Sequence, residues 1–440
     1  MKGALLRRLC RGALASPKLL PTEANPALRS SPSFTRAISN LEGLGVTYGL
    51  ICALAGRGIA VKDRAFHNLD KSELEKNGAT LVEKLSGTPL YVRGSIIAGA
   101  PEISKPQFAK LLKQVTSHIS SVSNIFVQDG AIGSSPKCDA KVRVISDNPS
   151  AILSLSNILW ETPSRAISHD TCPLTVYIAG SISSSAKEAL GLGSQVSTGF
   201  AAADVERSSL VLCGKAFADA NAVKDALSAL AAPIISARGG LPLSARLLVL
   251  GESVILLFAP EHTIRSCSEL QKVLTSMDSG VTLSSHGAAP FFLTKHSSAS
   301  DVLKKPTSTI FVMADSTGVF PSISKLSPGQ AAYHFLAGYQ DGKFVPAYIK
   351  GLSPIYLQEL AKALFLQLKE NDIPSFLINV NDGGKHVSGK ELLELVESTL
   401  SNKLPESKPN APDSKVGDLK GKFKSFLLGK FQELPEEFCF

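Results

Sequence analysis

No two cysteines in this chain form a CxxC pair. Cys10, Cys52, Cys138, Cys172, Cys213, Cys267 and Cys439 are scattered singly. That spacing indicates neither a zinc ribbon nor a disulfide framework, and buried reduced thiols are the expectation. Long apolar runs are missing too. None reaches the roughly 18 residues that span a bilayer, so a soluble chain is expected, with peripheral membrane contact left open. A basic body is also lacking. The formal charge is +8, but most of it sits in residues 1–39, where Lys2, Arg7, Arg8, Arg11, Lys18, Arg29 and Arg36 face Glu23 alone. The remainder gives no nucleic-acid signal. A glycine-rich phosphate loop is absent as well. The apolar run Val254–Phe258 feeds Ala259-Pro260-Glu261-His262-Thr263-Ile264-Arg265-Ser266, which contains no glycine. Proline offers no N–H and Glu261 repels phosphate, so this turn is poor phosphate-binding chemistry. Near the start, Gly43-Leu44-Gly45 is followed by Gly49, one residue too late for a dinucleotide fingerprint.

The basic leader itself is informative. Leu5, Leu6, Leu9 and Leu14 lie among arginines, and Ser, Pro and Arg carry the chain onward. An amphipathic, Arg-rich, acid-poor segment reads as a mitochondrial presequence over residues 1–39, with a plastid address less favoured and a plant-like setting suggested by its serines. Beyond it, 440 residues at 44% hydrophobic support two domains or one large α/β domain with an appendage. The central stretch is Thr309–Tyr339: a buried strand from Ile310, then Asp315 and Gly318 in a turn, then a helical segment with Tyr333 and His334. In open α/β sheets, ligand sites lie at such strand ends. Helices are expected over Lys105–Val122, Pro149–Trp160, Asp219–Leu230, Tyr356–Lys369 and Gly389–Leu400. Strands are expected at Asn124–Val127, Lys141–Ile145, Leu174–Ala179, Ser209–Cys213, Leu247–Val249, Val254–Phe258 and Phe376–Val380. Lys141 and Arg143 alternate with Val142 and Val144 and read as a wet face. Residues 401–415 read as a linker. Residues 416–440 form an amphipathic C-terminal tail, with Leu419, Phe423, Phe426, Leu427 and Phe431 interleaved with lysines. That tail fits either an acidic lipid surface or partner, or the chain's own core.

Several blocks occur in an order that resembles the ATP-dependent phosphoenolpyruvate carboxykinases. Phe66-His67-Asn68-Leu69 resembles that family's YHNL. NIFVQDGA from Asn124 and KVRVISDNPSAILSLSNIL from Lys141 match a second pair of blocks. Tyr177-Ile178-Ala179-Gly180 stands for YNAG, ADSTGVFPSISKL from Ala314 for CDASGVLPPVSKL, and YHFLAGY from Tyr333 for YHFISGY. Asn379-Val380-Asn381-Asp382 resembles the NTGW region. The similarity spans about residues 68–400. It implies an α/β fold: a mixed-sheet, two-lobed carboxykinase-like architecture with an N-terminal lobe at 40–230 and a nucleotide-lobe remnant at 231–400.

The departures from the family fall on its chemistry. The resemblance puts the phosphate-loop lysine near Ile264 and the magnesium-binding threonine near Arg265. It puts a substrate arginine at Ala186, a metal-binding lysine near Ala222 and a metal-binding histidine near Ala237. The substrate arginine run expected after Leu85–Gly87 is represented only by Arg93, and the acidic metal cluster only by an isolated Asp278. On these losses the expectation is a pseudoenzyme: a non-catalytic scaffold or accessory subunit of a mitochondrial protein assembly, with no cofactor and no metal site. The alternative is ATP-dependent phosphoenolpyruvate carboxykinase or an ATP-binding protein with a rebuilt site, taking ATP and Mg or Mn. For that alternative the candidate residues are Arg238, Arg246, His262, Arg265 and Asp315. Asp315 and His334 are otherwise a turn cap and a core histidine.

Overall fold

The computed structural model describes residues 48–94, 100–134, 137–162, 173–181, 188, 191, 198–293, 304–347, 354–382, 385–387, 389–401 and 413–440. The leader, the position of Ala186 and most of the expected linker lie outside these residues. Two compact units are present. The first comprises Met1–Ser95, Gly99–Ala131 and Ala140–Ala237; the second comprises Ile96–Ala98, Ile132–Asp139 and Arg238–Phe440. Among the described residues no helix is long and apolar enough to cross a membrane.

The first unit runs α1 (Tyr48–Ala55), β1 (Arg64–His67), α2 (Lys71–Lys76), β2 (Leu90–Arg93), α3 (Lys105–Ser121), β3 (Asn124–Ile132), β4 (Ala140–Ser146), α4 (Pro149–Ser156), β5 (Leu174–Ala179), β6 (Gly199–Asp204), β7 (Ser209–Gly214) and α5 (Ala220–Ala237). Its helices start where the local chemistry dictates. Asp70 accepts from Glu73 N–H, and the Glu73 side chain returns the bond to Asp70 N–H, a capping box at α2. Ser104 and Gln107 do the same at α3, with a proline in the first turn. Seven strands form one mixed sheet in the order β1-β3-β4-β5-β7-β6-β2. The pairs β1–β3, β4–β5, β5–β7 and β2–β6 are parallel, and β6–β7 is antiparallel. Phe108, Leu111, Val115 and Ile119 recur at helical spacing on α3 and pack with Ile125, Val127, Ile145 and Tyr177 of the sheet.

Three local expectations are corrected here. Strand β3 runs through Asp129-Gly130 to Ile132 rather than ending at the turn signal, because Ala131 pairs with Trp160. Helix α5 continues past Leu230 to Ala237 through Pro233, because Ala231, Ala232 and Ile235 still face the core. Lys141 and Arg143 are buried, not wet. Arg143 donates from Nε and NH2 to the two oxygens of Asp129 at 2.7 and 2.8 Å, and His67 Nε2 lies 3.0 Å from the same carboxylate. Burial pushes the Asp129 carboxyl up, but the Arg143 and His67 bonds outweigh it and hold it at about 2. Cysteine burial is also only partly as expected: Cys138, Cys213 and Cys267 are buried, whereas Cys52 and Cys439 are exposed.

The second unit continues with β8 (Leu241–Leu243), β9 (Arg246–Leu250), β10 (Ser253–Phe258), α6 (Glu261–Ser266), α7 (Ser268–Val273), β11 (Val281–Ser284), β12 (Gly287–Pro290), β13 (Ser308–Met313), β14 (Ile323–Leu326) and α8 (Pro328–Leu336). It closes with β15 (Tyr339–Gln340), β16 (Lys343–Phe344), α9 (Pro354–Glu370), β17 (Ser375–Asn379), β18 (Asn381–Asp382), β19 (Lys385–His386), α10 (Gly389–Ser401) and α11 (Asp413–Lys430). Five strands order as β14-β17-β13-β10-β9, and β12-β11-β8 form a separate antiparallel sheet. Strands β17, β13 and β10 are parallel at the centre, and antiparallel strands flank them. Gly251 takes a positive φ of 59° in the tight β9–β10 hairpin.

Strand alternation sorts this sheet's side chains into two cores. Val254, Leu256, Phe258, Phe311, Met313 and Leu377 pack on one face with α8, α9 and α11. Ile255, Leu257, Ile310, Val312, Phe376 and Ile378 pack on the other with α6, α7 and α10. Covering both faces makes the central strands near-continuous apolar runs, as their sequences read. The C-terminal segment belongs to the first of these cores. Leu419, Phe423 and Leu427 lie on one stripe of α11, and Phe431 and Phe438 follow them inside. Phe423 stacks on Tyr333 at 5.9 Å, and Phe440 sits 5.2 Å from Phe320. Lys420 and Lys424 remain exposed on the far side of the helix.

Candidate functional site

The carboxyl ends of β10, β13 and β17 open onto a cavity of about 560 Å³. Four segments build it. After β10 the chain passes Ala259-Pro260 into α6, whose His262, Thr263 and Ser266 line one bank. After β13, Ala314 forms the floor and bonds Tyr339 and Asp341 through its N–H and C=O. Strands β15 and β16 then make a hairpin in which Gln340 faces Lys343 across a two-residue turn. That turn is Asp341-Gly342, with φ of 40° and 89°. Asp-Gly tolerates positive φ at both positions and so matches the twist of a tight hairpin. After β17, strands β18 and β19 make a second hairpin that places Asn381 opposite His386. The two hairpins touch: Asn381 Nδ2 donates to Asp341 Oδ2 at 3.2 Å, and Ser316 N–H donates to Asp341 Oδ1 at 3.2 Å. The remaining wall is apolar, from Val380, Val387 and Leu392.

The sequence candidates separate clearly. His262 lines the cavity. Asp315 does not. It is fully buried, and its carboxylate takes Thr317 N–H, Thr317 Oγ1 and Phe320 N–H at 3.1, 2.7 and 3.3 Å, so it closes the turn after β13. Asn379 ties the same turn to the end of β17, donating to the carbonyls of Asp315 and Phe320 at 3.0 Å each. Arg246 is buried on β9. It donates to the Met277 and Ala259 carbonyls at 2.9 and 3.3 Å and pairs with Glu261. Burial lowers its pKa from the ordinary arginine value, partly offset by Glu261. Arg265 is mostly exposed and spends Nε on the same Glu261 at 2.8 Å. Arg238 bonds Lys137 O and Asp139, away from the cavity. His334 is buried beside Phe320, Tyr333 and Phe423, and burial pulls its pKa down to about 4.

Sequence reading missed Asp341, Lys343, Asn381 and His386. The signal was present in Asp341-Gly342 and Gly383-Gly384, each a hairpin dipeptide beside polar residues. With them, one cavity gathers two imidazoles, an ammonium, a carboxylate, hydroxyls and amides. That donor set suits an anionic ligand with an apolar portion, and strand-end placement is where α/β sheets hold nucleotides and their substrates. A divalent ion fits less well. Among the described residues no group of three or more His, Cys, Asp or Glu side chains is placed to hold a metal, and Asp341 already accepts two hydrogen bonds. No chemical step is therefore routed through a metal here.

The class these features define is a two-unit α/β protein with a strand-end ligand cavity, and comparison with known proteins makes it specific. The family model described as phosphoenolpyruvate carboxykinase matches residues 98–258 and 267–345, more than half of the chain. The chain belongs to that family. The unmatched gap, 259–266, is Ala259-Pro260 and α6, where the glycine-rich loop is missing. Among curated proteins it is similar to the phosphoenolpyruvate carboxykinase (ATP) of Christiangramia forsetii, 32% identical over 120 residues, 23% of each chain. It is also similar to that of Flavobacterium johnsoniae, 28% identical over 178 residues, 29% of this chain and 33% of the relative. With that of Bacillus mycoides it shares 28% identity over 149 residues, 30% of this chain and 28% of the relative. The matched part thus spans at most about a third of these relatives' length.

These matches overturn the expectation of a pseudoenzyme. Family membership, and similarity to ATP-dependent carboxykinases of several bacteria, accord with retained catalytic function rather than a stripped fold. The geometry gives the physical reason the sequence argument failed. It weighed the family's catalytic positions, whereas the polar groups of this cavity stand on α6 and two hairpins, at His262, Asp341, Lys343, Asn381 and His386.

Proposed function

We propose that this chain is a nucleotide-dependent enzyme of the phosphoenolpyruvate carboxykinase family, acting on ATP and oxaloacetate from a rebuilt cavity. The observation that carries this reading is the set of Lys343, His262, His386 and Asp341 around one strand-end cavity. In the reaction, the bond between a terminal carboxylate and its methylene carbon breaks and CO2 leaves with the carboxylate carbon. The electron pair stays behind as an enolate. The enolate oxygen attacks the γ-phosphorus of ATP, the bond to ADP breaks, and phosphoenolpyruvate is formed. Catalysis of such a transfer is mostly positioning and charge stabilisation. Lys343 supplies a fixed positive charge for anionic oxygens. His262 and His386 supply imidazole nitrogens that can hydrogen-bond to substrate oxygens. The wall of Val380, Val387 and Leu392 keeps water from the enolate, which otherwise takes a proton and is lost as pyruvate.

The test is product formation by the full chain from ATP and oxaloacetate, with pyruvate counted separately. Phosphoenolpyruvate made by the wild type and lost in Lys343→Ala supports the reading. A folded protein that makes none under any nucleotide or metal condition overturns it. Delivery to mitochondria is part of the proposal and rests on the composition of residues 1–39. Those residues fused to a fluorescent reporter direct it to mitochondria if that is right, and leave it in the cytosol if it is not.

A further inference from the structure

We infer that the cavity binds an adenine nucleotide with its base against the apolar wall and its phosphates on the hairpin rim, held by Lys343 without a divalent ion. This rests on the reading of the cavity as a nucleotide site and deepens it by assigning the orientation and the means of holding the phosphates.

The argument starts from the bank where phosphate does not fit. Between Phe258 and α6 there is no glycine nest, and Pro260, at the start of the helix, has no N–H to aim. Glu261 follows it. Its carboxylate is already neutralised by Arg246 and Arg265, so those guanidiniums are spent on the protein's own anion. A polyphosphate placed here meets a carboxylate and no glycine nest.

The opposite bank has the reverse chemistry. Lys343 is exposed at the hairpin, and among the described residues no ion pair involves it. His386 is exposed on the second hairpin. Among the described lining residues the one carboxylate, Asp341, is held by Asn381 and Ser316 N–H, which fixes it in the bridge between hairpins. Phosphate oxygens therefore have the Lys343 ammonium and the His386 imidazole on this side. A planar base has the wall of Ala314, Val380, Val387 and Leu392 to cover it. About 560 Å³ falls within the range of ordinary small-molecule sites. With one engaged carboxylate among the described lining residues, the phosphates' charge is met by side chains rather than by a protein-held metal.

The experiment is calorimetric titration of the full chain with ADP and with adenosine, first in excess EDTA and then in excess Mn²⁺, for wild type and Lys343→Ala. ADP binding in EDTA is expected, weakened about tenfold or more by Lys343→Ala, as loss of a charge-assisted bond to phosphate dictates. Adenosine is expected to bind both proteins within about twofold, because it lacks the group that Lys343 meets. Lys343 is exposed, so the variant keeps its fold, checked by an unchanged melting temperature. ADP that binds only with Mn²⁺ overturns the inference while leaving the nucleotide reading in place. ADP that binds in EDTA equally to both proteins overturns it too. Absence of nucleotide binding with and without Mn²⁺ overturns the functional reading and this inference together.

Discussion

The sheet of the first unit and the cavity rim of the second handle charge in opposite ways. In the first, charged groups are turned inward and satisfied. Arg143 is 2% exposed and grips Asp129 with two bonds, and Arg93 reaches the fully buried Asp204 at 2.7 Å across the β2–β6 pair. In the second, Lys343, His262 and His386 stand at the open edge of a cavity. A buried pair fixes a fold because breaking it strands a charge in low dielectric. A rim charge contributes little to the fold and is available to a ligand. The Arg143–Asp129 pair shows what spent charge looks like, and the cavity rim shows charge in reserve.

Arg143→Leu breaks that contrast hardest. It leaves the partly buried Asp129 with only His67 beside it and is expected to cost about 3 kcal/mol of stability, read by denaturant unfolding. A cost below about 1 kcal/mol would mean that Asp129 is solvated. Nucleotide binding by Lys343→Ala comes next, with about a tenfold loss and a stability change within about 0.5 kcal/mol.

Acid sharpens the comparison by separating the units in pH. His334 in the second unit has its pKa lowered by burial from 6.5 to about 4. Its folded form is neutral, so the stability it contributes is present above about 6.5 and is lost as pH falls towards 4. Asp129 in the first unit is depressed from 3.8 to about 2, so its contribution survives to lower pH and is lost between those values. Unfolding followed against pH is expected to weaken the second unit first, and His334→Phe is expected to remove the loss between 6.5 and 4. An unchanged profile in that variant would rule out His334 as the cause. The smallest expected effect is that of Arg265→Ala. Its exposed i,i+4 pair with Glu261 is worth a few tenths of a kcal/mol, and ADP affinity should not move, since Arg265 is spent on a carboxylate outside the cavity.

Much of the architecture was legible because alternation and helical spacing report burial directly. The runs at Val254–Phe258 and Ile310–Met313 are the central strands, and Leu357, Leu360, Leu364 and Leu368 are the buried stripe of α9. Asp315 and His334 read as a turn cap and a core histidine from chemistry alone, and they are placed so. Arg143 was misread because alternation with valine looks the same whether the polar residue meets water or a buried carboxylate 14 residues away. The tail was ambiguous for a similar reason. An amphipathic stripe specifies that something apolar covers it, and Phe320, Tyr333 and Phe344, which do, are distant in sequence. The cavity was hardest to read. His262 was in view, but Lys343, Asn381 and His386 converge only once two hairpins are folded over three strand ends.

Hydrogen–deuterium exchange of the full chain with and without saturating ADP tests the central claim most directly, because it reports where the ligand sits. The account predicts new protection in the hairpins at residues 339–344 and 381–387, with the β10–α6 turn at 259–266 little changed. Protection concentrated at 259–266 with the hairpins unaffected would contradict it.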